Sequence, residues 1–326
     1  MTGLVAVTGA TGFLGRYIVD ALTAQGRHVR ILARTYPVHE QFSGLTFEVI
    51  PGDLSDTEAL RALVRGADCV VHAAGLIKAR TAQEFHRVNV QGTDNLVAAM
   101  NAQGVKSRLL MVSSLAAREP HLSPYAATKR AAEEIVRAAL APPHDWMIIR
   151  PSAIYGPWDQ ETLTVLKAVS LGISLRPGSR NTRVALVHAR DVGEAVAALC
   201  ARGEAGRQYE ISDARYEGYS WDEICSVAAR LLGQQRAITL PLAGWALYFA
   251  GVIGAIGGRL GASPAMLTID KAREILHPDW SCKPERQPSK ALWQPKIDLN
   301  CGFLETIRWY QSRGWISVPC KTDVPD

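Results

Sequence analysis

Two residues four apart, Tyr125 and Lys129 in Pro124-Tyr-Ala-Ala-Thr-Lys129, open an amphipathic stretch and therefore project from one face of a helix. A tyrosine with an ordinary pKa near ~10 is a poor acid–base group at neutral pH, but a cationic lysine beside it favours the tyrosinate and lowers that value. Ser114, closing the run Val112-Ser-Ser114, supplies a hydroxyl that can hydrogen-bond a reacting oxygen as charge develops on it. Ser113 or a water can share that role. A Tyr-x-x-x-Lys spacing alone is commonplace on exposed helices, so its meaning depends on what accompanies it.

It is accompanied by a glycine turn. Leu4-Val-Ala-Val-Thr8 runs directly into Gly9-Ala-Thr-Gly12-Phe-Leu-Gly15, an apolar strand followed by a tight turn and the first turn of a helix. One glycine permits the turn, one lets backbone N–H groups approach a pyrophosphate without a Cβ in the way, and one lets helix pack on strand. Gly9, Thr11, Gly12, Phe13, Leu14 and Gly15 are accordingly candidates to bind a dinucleotide. The spacing is G-x-x-G-x-x-G rather than G-x-G-x-x-G, and its place after the first strand is what gives it weight. The second strand ends Ile31-Leu-Ala-Arg34 without the acidic residue that would bind a ribose 2′-hydroxyl, and Arg34 is placed to meet a 2′-phosphate. That favours NADP over NAD; a solvated Arg34, or one stacked on adenine, is the bland alternative. Arg16 is a second candidate for phosphate.

These groups need a scaffold, and the first half of the chain supplies its pattern. Apolar runs at Leu4–Thr8, His28–Ala33, 46–50, 69–73, 108–113 and 146–150 alternate with helical periodicity at 13–23, Thr57–Val64, 90–101 and 125–140. Alternation of this kind implies an α/β fold, a Rossmann doubly wound parallel sheet with helices on both faces. After Arg150 the pattern loosens into segments punctuated by Pro and Gly, which predicts a smaller, mainly C-terminal substrate-binding region. Runs at 184–188 and 208–212 read as strands returning to the main sheet. The expected division is a Rossmann domain of residues 1–150 plus about 184–212, and a substrate-binding region of about 151–183 and 213–326.

The 326 residues, 48% hydrophobic and 21% charged, can bury a large core, and the net charge of +5 is spread without a basic block, which argues against nucleic acid. Six scattered cysteines, without a C-x-x-C pair or clustered histidines, predict no metal site and fit a reducing cytosol. The start of the chain lacks the pattern of a signal peptide, so a cytoplasmic location is expected.

The combination resembles the extended short-chain dehydrogenase/reductase superfamily, and within it the NAD-dependent epimerase/dehydratase family. It is carried by Thr8 to Gly15, Gly52-Asp-Leu54, His72-Ala-Ala-Gly75, Asn89-Val-Gln-Gly-Thr93, Val112-Ser-Ser114, Tyr125 with Lys129, Arg150-Pro151 with Tyr155-Gly-Pro157, and Leu186-Val-His188 with Asp191-Val192. The resemblance implies that Asp53 and Leu54 contact the adenine and that Ala73, Ala74 and Gly75 line the middle of the cofactor. It further implies that Pro151, Ala153 and Ile154 approach the nicotinamide, that Ser114, Tyr125 and Lys129 form the catalytic group, and that Tyr125 and Lys129 also touch the cofactor. His188 and Asp191 are expected to hold structure by hydrogen bonds, His72 to be a core histidine, and Asn89 to fix a loop or helix end. Sugar dehydratases of this family carry an Asp-Glu pair after the catalytic hydroxyl residue; Leu115 and Ala116 stand there, so elimination lacks its acid and base.

The remaining clues concern the substrate. Arg176, Arg180, Arg183 and Arg190 could serve a sugar diphosphate, yet the C-terminal part offers mainly Trp245, Tyr248, Phe249, Val252, Ile253, Ile256, Met266 and Leu267. These suit an apolar ligand or simply a domain core. The segment 265–280 resembles that of 3β-hydroxysteroid dehydrogenase-like and dihydroflavonol reductase-like members. The stretch between Arg236 and Arg259 holds no charge, but Pro241 and its glycines favour a strand over 237–240 and an apolar helix, able to touch a membrane surface, over a membrane span. The leading expectation is an oxidoreductase passing hydride between a nicotinamide cofactor and a carbonyl or hydroxyl substrate. An NDP-sugar epimerase using transient oxidation, and a non-catalytic nucleotide-binding subunit or redox sensor, are the alternatives. Family analogy implies a homodimer through the helices at 90–101 and 125–140.

Overall fold

The computed structural model of the protein describes residues 3–234, 238–249, 251 and 268–317. The chain forms two compact units, one of 1–151, 192–211 and 286–294, the other of 152–191, 212–285 and 295–326.

The first unit is built on seven parallel strands: β1 (Leu4–Thr8), β2 (His28–Ala33), β3 (Glu48–Pro51), β4 (Cys69–His72), β5 (Arg108–Val112), β6 (Asp145–Pro151) and β11 (Arg207–Ile211). Their order is β11-β6-β5-β4-β1-β2-β3. Helices covering both faces explain why the central strands read as unbroken apolar runs: all four residues of β4 are buried. The helices are α1 (Phe13–Ala24), α2 (Thr57–Val64), α3 (Ala82–Phe85), a π-helical turn at His86–Gln91, α4 (Gly92–Asn101) and α5 (Pro124–Ala139). Tyr17, Ile18, Val19 and Leu22 give α1 its buried stripe, and Asp56 caps α2 by accepting from the Ala59 amide. Leu60, Leu63, Leu96, Met100, Val136 and Ile148 meet in the core of one face. The order reverses direction between β1 and β4, and in doubly wound sheets ligands bind in the crevice at that switch.

In the second unit, α6 (Glu161–Ser170), α8 (Trp221–Leu231), α9 (Ile269–Leu276) and α10 (Leu299–Ser312) accompany three two-stranded parallel sheets. β7 (Ala153–Tyr155) pairs with β10 (Leu186–His188), β8 (Ile173–Pro177) with β12 (Ile238–Leu242), and β9 (Arg183–Val184) with β13 (Asp279–Trp280). Tyr155, Leu166, Val169, Ile224, Phe303 and Ile307 share its core. The return of 184–188 to the main sheet is therefore corrected: its strands pair within this unit, and among the described strands after β6 only β11 rejoins the main sheet. A short, wholly buried apolar strand such as β10 announces that it is a strand, not which neighbour will hydrogen-bond it.

Gly26, Gly66 and Gly104 follow helices with φ near +70°, +68° and +67°, the left-handed stops that glycine makes without a Cβ clash. Cys69 and Cys200, far apart in sequence, come together with sulfurs 3.2 Å apart. Residues 244–249 continue β12 as helical turns, while Val252, Ile253, Ile256, Met266 and Leu267 lie outside the described residues. No described helix is long and apolar enough to cross a membrane.

Gly193 lies on α7 (Ala189–Arg202), where a Cβ would stand 2.6 Å from the Tyr17 carbonyl oxygen of α1. Gly193→Ala is expected to destabilise the protein by about 1–3 kcal/mol through forced separation of the two helices, read as a lower urea midpoint.

Candidate active site

The catalytic candidates follow from the start of α5. Ser123 caps this helix by accepting from the Ala126 amide at 3.0 Å, and Pro124 occupies its first position, so the first turn carrying Tyr125 is fixed. Tyr125 is half-buried, its ring 6.2 Å from that of Phe85. One turn on, Lys129 is buried, and its Nζ donates to the Val112 carbonyl oxygen of β5 at 2.7 Å. Burial draws the Lys129 pKa down to about 8, and the Glu133 carboxylate one further turn along the helix pushes back upward.

Glu133 is the residue that sequence reasoning missed. It is buried and accepts from Arg150 Nε at 2.8 Å, Arg150 Nη2 at 2.7 Å and Ser113 Oγ at 2.6 Å. Burial alone would raise its pKa, but the hydrogen bonds and charge of Arg150 outweigh that and hold the carboxyl below the usual range. The signal was its position four residues after Lys129, between Ala132 and Val136 on an inward stripe where a carboxylate needs a partner. The Ser113 hydroxyl is thereby committed to Glu133, which corrects the idea that it shares the donor role. Ser114 Oγ, half-buried, accepts from the Ala116 amide at 3.2 Å, leaving its hydroxyl proton for another partner.

The glycine turn fits a dinucleotide on steric grounds. At Gly9, with φ +73°, a Cβ would lie 2.4 Å from the Ala74 amide nitrogen, and at Gly15 it would lie 2.0 Å from the Gly9 carbonyl oxygen. The turn is thus pressed against the loop after β4. Gly12, by contrast, is exposed, begins α1 without a side-chain cap, and would bring a Cβ near nothing but Gly9. Its outward face leaves helix-terminal amides accessible to a pyrophosphate. Thr11 is exposed beside it, and Phe13 and Leu14 are half-buried. Arg16 braces the turn, donating to the Thr11 carbonyl at 2.8 Å and to Gln41 at 2.6 Å.

Around this turn stand the other residues implied for the cofactor. Arg34 is exposed at the end of β2. Asp53, also exposed, has its carboxyl held below the usual range first by the Ser55 hydroxyl and amide and then by the charges of Arg34 and Arg87. Arg87, on the π-helical turn, is a second cation in this neighbourhood that the sequence did not single out. Leu54 packs so closely on α4 that a Cβ at Gly92 would be 2.6 Å from it. Ala73 and Ala74 are half-buried and Gly75 exposed; a Cβ on Gly75 would sit 3.6 Å from Lys129 Nζ. Asn89 fixes this loop, accepting from the Leu76 amide at 2.7 Å and donating to the Leu76 carbonyl at 3.1 Å and to Thr128 Oγ1 at 3.1 Å. His72, between Thr8 and Thr93, has its pKa drawn to about 3 by burial and the Lys129 charge, and so is a neutral core histidine. Pro151 ends β6, buried.

In the second unit, Ala153 is exposed and Ile154 half-buried on β7. Asp191 accepts from the Lys296 and Ile297 amides, and His188 accepts from the Arg190 amide, so both hold backbone. Arg176 is paired with Asp222 at 3.0 Å and Arg190 with Glu305 at 2.5 Å.

The model of the NAD dependent epimerase/dehydratase family matches residues 5–212. The chain belongs to that family. It is 43% identical over 315 residues, 96% of each chain, to a ceramide reductase of Caulobacter vibrioides. It is 34% identical over 188 residues to a 3β-hydroxysteroid dehydrogenase/Δ5→4-isomerase of Mycobacterium tuberculosis, covering 48% of this chain and 49% of the relative. The dTDP-glucose 4,6-dehydratase DesIV of Streptomyces venezuelae shares the fold, with a TM-score of 0.73 at 23% identity over 96% of this chain and 98% of that one. The protein is an NAD(P)-dependent oxidoreductase of the extended short-chain type.

Between its folded pKa of about 8 and the ordinary lysine value of 10.5, Lys129 binds fewer protons in the folded protein than in the unfolded chain. Its contribution to stability therefore rises with pH across that window. NMR of labelled lysines is expected to show one side chain titrating near pH 8, a signal that Lys129→Met removes.

Proposed function

We propose that this enzyme is an NADP-linked reductase that interconverts a carbonyl and a hydroxyl on a long-chain lipid of the ceramide class. The observation that carries the substrate class is the 43% identity to a ceramide reductase over 96% of both chains. Two features of this chain agree with it. Arg176 and Arg190 are engaged by carboxylates of their own unit, which occupies two of the four arginines that could serve a sugar diphosphate. The stretch between Arg236 and Arg259 is uncharged and aromatic, suited to an apolar tail.

In the reductive direction Tyr125 Oη gives its proton to the carbonyl oxygen while the carbonyl carbon gains a hydride, yielding the alcohol and a tyrosinate. The bound nicotinamide supplies that hydride, and accepts it in the reverse direction. Lys129, as ammonium, stabilises the tyrosinate and stands beside Gly75 where the nicotinamide ribose would lie. Ser114 donates to the substrate oxygen as charge develops there. Glu133 and Arg150 position this group by fixing α5 against the end of β5. For the cofactor, Arg34 and Arg87 favour the 2′-phosphate of NADP.

Purified enzyme supplied with NADPH and a long-chain keto-ceramide in detergent is expected to consume both stoichiometrically; an epimerase, which regenerates its cofactor in place, would show no net NADPH loss. Tyr125→Phe is expected to lower kcat by about 10²–10⁴-fold with cofactor affinity retained, and near-normal turnover by this variant would overturn the assignment. Arg34→Ala is expected to weaken NADPH about 10–100-fold and NADH little, from the loss of a charge-assisted phosphate contact. Equal binding of both cofactors, unchanged in Arg34→Ala, would refute the NADP preference.

A further inference from the structure

Ten large hydrophobic residues of the described chain are exposed, and six of them, Leu171, Ile238, Leu240, Trp245, Tyr248 and Phe249, fall on adjoining elements of the second unit. The other four are dispersed through the first unit, as single exposed apolar residues usually are. Ile238 donates its amide to the Gly172 carbonyl at 2.8 Å, which sets it beside Leu171 at the end of α6. Among the described strands β12 pairs with β8 alone, and its first four residues, including alternate positions, are all exposed. The chain then turns into helix, where Trp245, Tyr248 and Phe249 recur at i, i+3 and i+4 and so share one face. Trp245 is 75% exposed and Phe249 64%. Exposed apolar residues gathered on successive elements mark a surface that meets something.

The charge pattern says what. From Ile238 to Ile269 the sequence contains a single side chain that is charged at neutral pH, Arg259; Arg236 precedes the stretch, and the first carboxylate is Asp270. An apolar, aromatic segment bracketed in sequence by arginines, with no carboxylate between them, suits the headgroup boundary of an anionic bilayer, where Trp and Tyr rings settle and lipid phosphates meet arginine. We propose that the face formed by these six residues docks on an anionic phospholipid bilayer and takes up the lipid substrate there. The inference rests on the lipid-substrate reading above. A two-chain lipid has almost no free concentration in water, so an enzyme that acts on it gains access only by touching the phase that holds it.

The test uses the full chain and vesicles free of substrate, so its result is independent of what the enzyme reduces. The protein is expected to co-float with vesicles of phosphatidylcholine containing phosphatidylglycerol, and to bind pure phosphatidylcholine vesicles several-fold more weakly. Raising salt to about 0.5 M should reduce the preference for the anionic vesicles. Trp245→Ser combined with Phe249→Ser should weaken binding by at least about tenfold, because apolar burial at the interface is lost. Its thermal midpoint and NADPH affinity should stay unchanged, since both side chains are exposed. Vesicles with brominated acyl chains should quench tryptophan fluorescence in the parent, and the quenching should fall in Trp245→Phe while binding persists. Absence of binding to either vesicle, equal binding to both, or undiminished binding by the double variant would each overturn the proposal. A dimer in light scattering that the double variant converts to monomer, without vesicle binding, would assign the face to a second copy of the chain. Failure of docking leaves turnover of detergent-dispersed lipid intact, whereas failure of the substrate reading abolishes it.

Discussion

Burying the ammonium of Lys129 constrains everything around it. A charge withdrawn from water must find acceptors or lose its proton. Here it finds the Val112 carbonyl and the field of Glu133, at the cost of a pKa drawn down to about 8. Glu133 is itself buried and stays ionised through the two-pronged contact with Arg150 and the Ser113 hydroxyl. Removing one partner of such a pair would leave an uncompensated interior charge, which typically costs about 3–5 kcal/mol. The chain of contacts from β5 through α5 to β6 is thus a single electrostatic unit, and Tyr125 and Ser114 stand at its outer end. It also reaches His72, whose neutrality follows from burial and the same ammonium.

The second constraint is steric. Gly9 and Gly15 allow the first turn to lie against the loop after β4 with no room for a methyl group, whereas Gly12 turns outward and leaves the start of α1 uncapped. One end of the β1/β4 crevice is thereby closed by backbone contact and the other presents amides. Asn89 does the corresponding work on the opposite wall by holding both polar backbone groups of Leu76. Its place on a π-helical turn, which such turns commonly share with functional sites, shows how the extra residue is used.

The candidate catalytic group and the exposed apolar face reside in different kinds of structure. The catalytic candidates sit on a buried sheet and a capped helix, which hold side chains to narrow tolerances. The apolar face of the second unit is built from β12 and a few helical turns, with backbone and aromatic rings turned outward.

The sequence by itself determined the local chemistry. The glycine spacing, the Tyr125/Lys129 pair, the serine run and the period of nearly every helix and strand in residues 4–150 were legible because each depends on interactions within a few residues: turn sterics, capping and the burial of one stripe. Tertiary structure decided what required knowing a distant partner. It committed Ser113 rather than Ser114 to a buried carboxylate, made Glu133 and Arg150 a pair, drew Cys69 and Cys200 together, brought Arg87 into the surroundings of Asp53, and assigned 184–188 to partners outside the main sheet. In each case the one-dimensional pattern states that a group is buried, charged or extended, while its partner is fixed only when strands and helices separated by tens of residues pack.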